Sequence, residues 1–314
     1  MNAVKSKNHA TGRREFISML SAAAAMGIVG VTGVKGASLA GRNGDDAVYP
    51  QPGIPTIALG PHRISRLICG SNPILGYSYM GHHTDRHMKE YFTAERTVEF
   101  LRDCEKAGIT THQGSSRFDY IKLLRDQGSN MKIICLHSKR EEISKTIANT
   151  TPIAMAHHGG ATDRLFASGK SEVVRDYVKA VKDRGLIAGI SAHNPNVIKQ
   201  IADEGWDVDF FMTCFYYLTR KLDKDQLPAL PVGSYSFFKN DPKVMTQVIR
   251  QVKQPCLAFK ILGAGRLCSN EETVRDAFQF AFENIKPTDG VIVGMFPWYF
   301  DEIGANAKYA RELG

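Results

Sequence analysis

Pro152 to Lys170, PIAMAHHGGATDRLFASGK, decides how the rest of the chain is read. Ile153 to His157 is a short apolar run of the kind that forms a strand buried on both faces. It breaks abruptly into His157, His158, Gly159 and Gly160, followed by a polar loop. A strand that ends this way delivers imidazoles to one point and lets the backbone turn sharply after them. In parallel α/β proteins ligands bind at the carboxyl ends of the strands, so both histidines are candidates for a site. The plainer alternative is a histidine pair that caps a strand and bonds to neighbouring loops.

The same rhythm recurs on both sides of this stretch. Upstream, Ile54 to Leu59 and Ile64 to Cys69 predict a hairpin that leads into a first strand, Arg66 to Gly70. Thr93 to Lys106 has helical spacing and stops at Gly108, then come strand Ile109 to His112, a short helix Tyr120 to Asp126, strand Met131 to His137 and helix Ser138 to Asn149. Downstream, Ser171 to Arg184 is an amphipathic helix ended by Gly185, and Leu186 to Ser191 a strand. Helix Pro195 to Glu204 and strand Val208 to Cys214 precede a polar excursion from Leu218 to Asp241. Helix Pro242 to Val252, strand Cys256 to Ile261, helix Asn270 to Asn284, strand Gly290 to Met295 and helix Tyr299 to Leu313 complete the chain. About eight strand–helix units over roughly 250 residues predict an α/β fold, a single (β/α)8 TIM barrel with an N-terminal β-hairpin. A doubly wound sheet would carry a glycine-rich dinucleotide fingerprint after an early strand, and there is none.

The 314 residues contain 43% hydrophobic and 23% charged side chains, an ordinary globular balance that buries a sizeable core. The net charge of +8 is misleading, because residues 1–40 hold Lys5, Lys7, Arg13, Arg14 and Lys35 against Glu15, half of the total. The remainder is mild and spread out, which argues against a nucleic-acid partner. Thr11-Gly12-Arg13-Arg14-Glu15-Phe16-Ile17, an Ala- and Gly-rich stretch from Met19 to Val34, and the small-x-small site Ser38-Leu39-Ala40 resemble a bacterial twin-arginine export signal. The resemblance implies a signal peptide over 1–40, a Gly- and Pro-containing linker over 41–53 and a barrel domain over 54–314. It also implies the twin-arginine translocation machinery as a partner and a periplasmic or extracytoplasmic location, reached already folded. No stable membrane domain is expected after cleavage, and an uncleaved stretch would act as an anchor instead. The six cysteines, Cys69, Cys104, Cys135, Cys214, Cys256 and Cys268, are widely spaced and read as buried thiols, with room for one oxidised pair.

Several units resemble the aldo-keto reductase superfamily. Ile57 to Gly60 through Ser65 to Pro73 is similar to that family's opening, and Gly185 to Asn194 (GLIAGISAHN) to its fifth-strand motif. Lys260 to Leu267 (KILGAGRL) is similar to the loop after its seventh strand, and Val293-Gly294-Met295 followed by Asn306 to its last strand and helix, with an insertion at Pro297-Trp298. The resemblance implies NAD(P) as cofactor, with Ser191 and Asn194 on the carboxamide, Tyr216 against a flat ring, and Gly263, Gly265, Arg266 and Asn306 on the remaining cofactor. It places His157 where the family's catalytic histidine stands. The second strand reads Thr111-His112-Gln113-Gly114 in place of an Asp-Thr-Ala sequence, so the family's Asp is missing and its Tyr has no clean counterpart, although Tyr120 is near in sequence. Lys139 is the nearest match to the family's lysine. Hydride transfer to a carbonyl then lacks its general acid.

On the residues themselves, strand ends gather a polar set. His112, His157 and Lys260 are the candidate catalytic groups; Asn72, Gln113, His158 and Asp163 are candidates for holding substrate. Neutral imidazoles from separate strands could hold a divalent metal such as Zn²⁺ or Mn²⁺, with His112, His157 and His193 as candidate ligands. His82, His83 and His87 are expected in a solvated lid loop. Two enzymatic functions follow for a small-molecule carbonyl or sugar substrate. One is an exported aldo-keto reductase-like oxidoreductase. The other is a redox-neutral lyase, isomerase or hydrolase of oxidised sugars using His acid–base chemistry, with or without a metal. A sugar-binding barrel without catalysis is the non-enzymatic alternative.

Overall fold

The computed structural model describes residues 53–114, 117–222 and 235–314. The expected signal and, apart from Gly53, the expected linker lie outside the described residues. No helix among the described residues is long and apolar enough to cross a membrane. Strands β1 (Thr56–Leu59) and β2 (His62–Ser65) form an antiparallel hairpin with Thr56 opposite Ser65, turning at Gly60. The following strands are β3 (Leu67–Gly70), β4 (Thr111–Gly114), β5 (Lys132–His137), β6 (Ala154–His157), β7 (Ile187–Ala192), β8 (Phe210–Cys214), β9 (Cys256–Phe259) and β10 (Gly290–Val293). They close into one parallel barrel in which β10 pairs with both β9 and β3. This is the (β/α)8 architecture that the strand–helix rhythm predicts.

The helices around it are built by ordinary local rules. Helix α1 (His82–Tyr91) and α2 (Ala94–Lys106) follow β3. Thr93 caps α2 by accepting from the Arg96 amide, and Val98, Leu101 and Cys104 face the barrel at helical spacing. Helix α3 (Asp119–Asp126) follows β4, and α4 (Ile143–Thr150) follows β5 after a single 3-10 turn. Helix α5 (Gly159–Ala167) and α6 (Ser171–Lys182) follow β6; α7 (Pro195–Asp203), α8 (Asp241–Gln251), α9 (Glu271–Asn284) and α10 (Glu302–Leu313) complete the ring. Asn270 and Thr273 form a reciprocal capping box at the start of α9.

Two of these helices correct the sequence reading. The stretch after Gly159 is a helix rather than a polar loop, and His82 to Tyr91 is a helix rather than a solvated lid. No residue of α1 is fully buried, so it carries no apolar stripe for a periodicity argument to find. The two glycines that open α5 read as loop residues, but the first is a packing requirement. A Cβ on Gly159 would stand 2.9 Å from Ser191 Oγ and 3.1 Å from His193 Cε1. Strand β4 also lies two residues later than expected, ending at Gly114.

Alternation along each strand divides the core into two layers. Ile68, Ile134, Ala154, Ala156, Phe210, Met212, Leu257 and Ile292 fill the barrel, and Ile57, Leu59 and Ile64 of the hairpin join them. The hairpin meets the first residues of the strands, since Gly60 abuts Ile187 and Gly290 abuts Ile57. It therefore plugs the amino-terminal end, and the carboxyl end is left for ligands. Cys69, Ile133, Cys135, Met155, Ile190 and Phe211 face the helices. All six cysteines are free thiols, five of them buried and Cys268 exposed.

Inside the barrel Gly189 makes room for Phe210, whose ring occupies the place a Cβ would take. Gly189→Val is expected to lower the urea midpoint by the equivalent of about 2 kcal/mol, the usual cost of overpacking a close-packed interior. An unchanged midpoint would mean that this layer is not packed against Phe210.

Candidate active site at the carboxyl end of the barrel

Strand parity decides which of the predicted residues reach the mouth. His112 lies opposite Cys69 and Ile133, both in the outer layer, and is fully buried behind the wall. Its Nδ1 donates to the Cys69 carbonyl at 3.0 Å and its Nε2 accepts from the Tyr120 hydroxyl at 2.9 Å. His157 lies opposite Ile190 and also faces the helices. Its Nδ1 meets Thr162 Oγ1 at 2.8 Å and its ring meets the Tyr177 ring edge-on at 5.0 Å. Thr162 spends its own proton on the His158 carbonyl, so His157 Nδ1 donates, and Nε2 has no hydrogen-bond partner among the protein groups. Burial lowers the His157 pKa to about 4, with His158 adding to the effect. Both His112 and His157, expected as catalytic groups, face the helices rather than the barrel mouth.

The next residue leaves the strand on the other side. His158 continues the inward parity of Ala154 and Ala156 and is open to solvent from above, while the rim encloses its other sides. That enclosure lowers its pKa to about 4, helped by His193, Arg164 and Lys260 and opposed by Asp163. Asp163, on α5 and nearly inaccessible, is the anchor of this end. Its Oδ2 accepts from the His193 amide at 3.0 Å, His193 Nδ1 at 3.0 Å and Thr219 Oγ1 at 2.9 Å, and its Oδ1 from the Asn194 amide at 3.3 Å. A carboxylate that takes the proton of Nδ1 fixes the tautomer and leaves His193 Nε2 as the basic nitrogen. That nitrogen makes no hydrogen bond among the described residues, and the ring stands 5.6 Å from Phe259. Ser191, inward-facing on β7, has a buried Oγ with no partner.

Lys260 follows β9 with its Nζ 3.8 Å above the Tyr79 ring centroid. Burial lowers its pKa to about 8 and raises the Tyr79 phenol to about 12. Gln113 is buried on the inward face of β4, with its Nε2 donating to the Gly114 carbonyl at 2.7 Å, and Asn72 lies in the turn after β3. The mouth thus brings together His158, Asp163, His193, Ser191 and Lys260. The sequence reading names all five; of its histidines, the structure places His158 and His193 on the mouth side and His157 and His112 on the helix side. Tyr79 and Thr219 it missed, since an isolated Tyr or Thr in a loop carries no signal.

The residues assigned to a nicotinamide cofactor are only partly placed to hold one. Ser191 Oγ is available, but Asn194 Oδ1 caps α7 by accepting from the Asn196 amide at 3.0 Å. Phe237 packs on Tyr216 at 4.9 Å, and the Arg266 guanidinium sits 3.8 Å above that same Phe237. Gly263 and Gly265 shape the turn between Lys260 and Arg266, and Asn306 is buried on α10. In this arrangement the chain's own Phe237 packs, tilted, between Tyr216 and Arg266. The metal expectation is corrected more simply. No three metal-ligating side chains converge among the described residues, because His112 and His157 face the helices while His193 faces the mouth. At the rim, a separate concavity of about 440 Å³ lies between Tyr91, Arg96, Phe100 and Trp298 to Phe300. His87 belongs to this aromatic group, with its ring 4.6 Å from Trp298.

No protein-family model matches the chain, and no curated protein matches it. Solved structures do. An aldo-keto reductase from Bacillus halodurans in its holo form superposes with a TM-score of 0.53 at 12% identity, over 82% of this chain and 90% of its own. A glycerol dehydrogenase from Gluconobacter oxydans does so with a TM-score of 0.50 at 12% identity, over 81% of this chain and 94% of its own. The likeness is one of fold, the closed (β/α)8 barrel. Barrels of this kind host many unrelated chemistries, so the activity has to be argued from the site.

The buried His157 couples the fold to pH. Its pKa is about 4 in the native state against 6.5 for an ordinary histidine, so the unfolded chain binds the proton first as pH falls. The native state keeps its full stability above about pH 6.5 and loses on the order of 3 kcal/mol from this group by about pH 4. His157→Gln is expected to flatten that part of the urea-midpoint profile; a slope equal to wild type would assign the loss to other groups.

Proposed function

We propose that this chain is an exported enzyme performing redox-neutral acid–base chemistry, a lyase or isomerase reaction, on a carbonyl-bearing sugar. The observation that carries the reading is the Asp163–His193 pair, held at 3.0 Å at the barrel mouth. An imidazole with a fixed tautomer and a free Nε2 is suited to remove a proton from carbon adjacent to a carbonyl. Lys260 supplies the positive charge that stabilises the enolate oxygen, and its lowered pKa lets it also act as an acid near neutral pH. His158, neutral at that pH, serves as a hydrogen-bond partner for a hydroxyl. The twin-arginine-like segment supports a periplasmic place of work, with translocation of the folded protein.

Incubating the mature protein with ketoses and oxidised sugars in deuterated water, without nicotinamide, is expected to exchange or eliminate at the α carbon. His193→Asn should lower that rate by about 10²–10³-fold. Full activity in His193→Asn would sink the assignment. A nicotinamide-dependent reductase is the second reading, favoured by the partnerless Ser191 Oγ and the fold likeness. It requires Phe237 to leave Tyr216, so Phe237→Ala should then gain NAD(P)H affinity in a fluorescence titration. Arg13→Lys with Arg14→Lys should keep the protein in the cytoplasm, as read by fractionation.

A further inference from the structure

Lys260 is held in an unusual way. It is one of four non-glycine residues with positive φ among the described residues, at 60°, a left-handed conformation that costs on the order of 1–2 kcal/mol. The turn that follows fixes it, with the Lys260 carbonyl accepting from the Gly263 amide at 2.9 Å. This backbone sets Nζ over the Tyr79 ring and 5.6 Å from the Phe259 ring, which stands equally far from His193. The groups that face it are Cys214 at the end of β8, Tyr235, Arg266 and, from β6, His158. None is a carboxylate, and Lys260 has no ion pair among the described residues; the Tyr79 face favours the ammonium, and burial pulls the other way, towards the free amine.

We propose that Lys260 acts covalently, condensing with the substrate carbonyl to form an iminium. The inference rests on the redox-neutral reading above and deepens it. The unprotonated Nζ adds to the carbonyl carbon, and one amine proton passes to the oxygen to give a carbinolamine. A second proton, delivered from solvent through the open mouth, lets the hydroxyl leave as water, and the nitrogen lone pair forms the C=N⁺ bond. The cationic nitrogen then withdraws electrons from the neighbouring carbon, whose proton His193 Nε2 takes to leave an enamine. Returning that proton to either face, or expelling a β-substituent, completes an isomerisation or an elimination. Hydrolysis releases the product and the amine, so no oxidant or reductant is consumed. The downward pull of burial, to about 8, supplies the free amine that the first step needs near neutral pH.

The test is reductive trapping on the mature protein at neutral pH, with dihydroxyacetone as the carbonyl probe and cyanoborohydride as the reductant. Peptide mapping is expected to show Lys260 carrying the mass of dihydroxyacetone less one oxygen, well ahead of the surface lysines. A pKa of about 8 against 10.5 for an ordinary lysine gives on the order of 300-fold more free amine at this pH. Trapping of Lys260 at the rate of surface residues such as Lys122, or more slowly, overturns the proposal. Lys260→Arg keeps the charge and cannot form the adduct, so it should abolish α-carbon exchange, and undiminished exchange in that variant also overturns it. The two readings separate cleanly. Exchange that needs His193 but not Lys260 removes the covalent step alone, whereas fast trapping of Lys260 without any exchange removes the acid–base reading and leaves the reactive amine.

Discussion

A single buried carboxylate, Asp163, holds the open end of the barrel together. It sits on α5 yet takes hydrogen bonds from the loop after β7 and from Thr219 beyond β8. Burying a charge costs several kcal/mol unless donors surround it, and here two amides, an imidazole and a hydroxyl do so. Those donors fix the position of His193 and of the segment behind it. A second carboxylate, Asp241, repeats the device next door by accepting from the Tyr217 amide and from Arg220. The geometry of the mouth is therefore set by side chain–backbone bonds that no strand or helix supplies.

The other constraint is the period of two along each strand. Adjacent residues leave a strand on opposite sides, so a pair such as His157-His158 is divided between two environments. One ring is sealed against Tyr177 and contributes to the wall. The other, one position later, faces solvent. The same rule explains why three histidines from three strands do not meet and why His112 bonds to Tyr120 instead of to a ligand.

The barrel was legible in the sequence because strands buried on both faces leave continuous apolar runs, and helices such as α2 and α6 leave an apolar stripe. Helix α1 was not, since it has no buried face, and α5 was hidden by glycines that serve packing against Ser191 and His193. At the site the residue types were readable and their ranking was not. Choosing between His157 and His158 needs the strand register to within one residue, which apolar patterning alone does not fix. The pairing of Asp163 with His193 spans thirty residues and depends on how α5 docks, which leaves no local trace. The covering of Tyr216 by Phe237 comes from a segment whose composition is simply polar and aromatic.

The hairpin plug has a consequence for how the chain reaches this state. Ile57, Leu59 and Ile64 are among the earliest barrel residues to be synthesised, yet their apolar faces are covered only by the interior that later strands complete. Closure joins β3 to β10, and Arg66 Nε donates to the Asp289 carbonyl at 2.9 Å across that seam. The first and last units of the domain must therefore meet before either is shielded from water. Such a ring has no stable half-built form at its seam, and its assembly waits for the end of translation. A nascent chain of this design leaves the apolar faces of its plug uncovered until the ring closes.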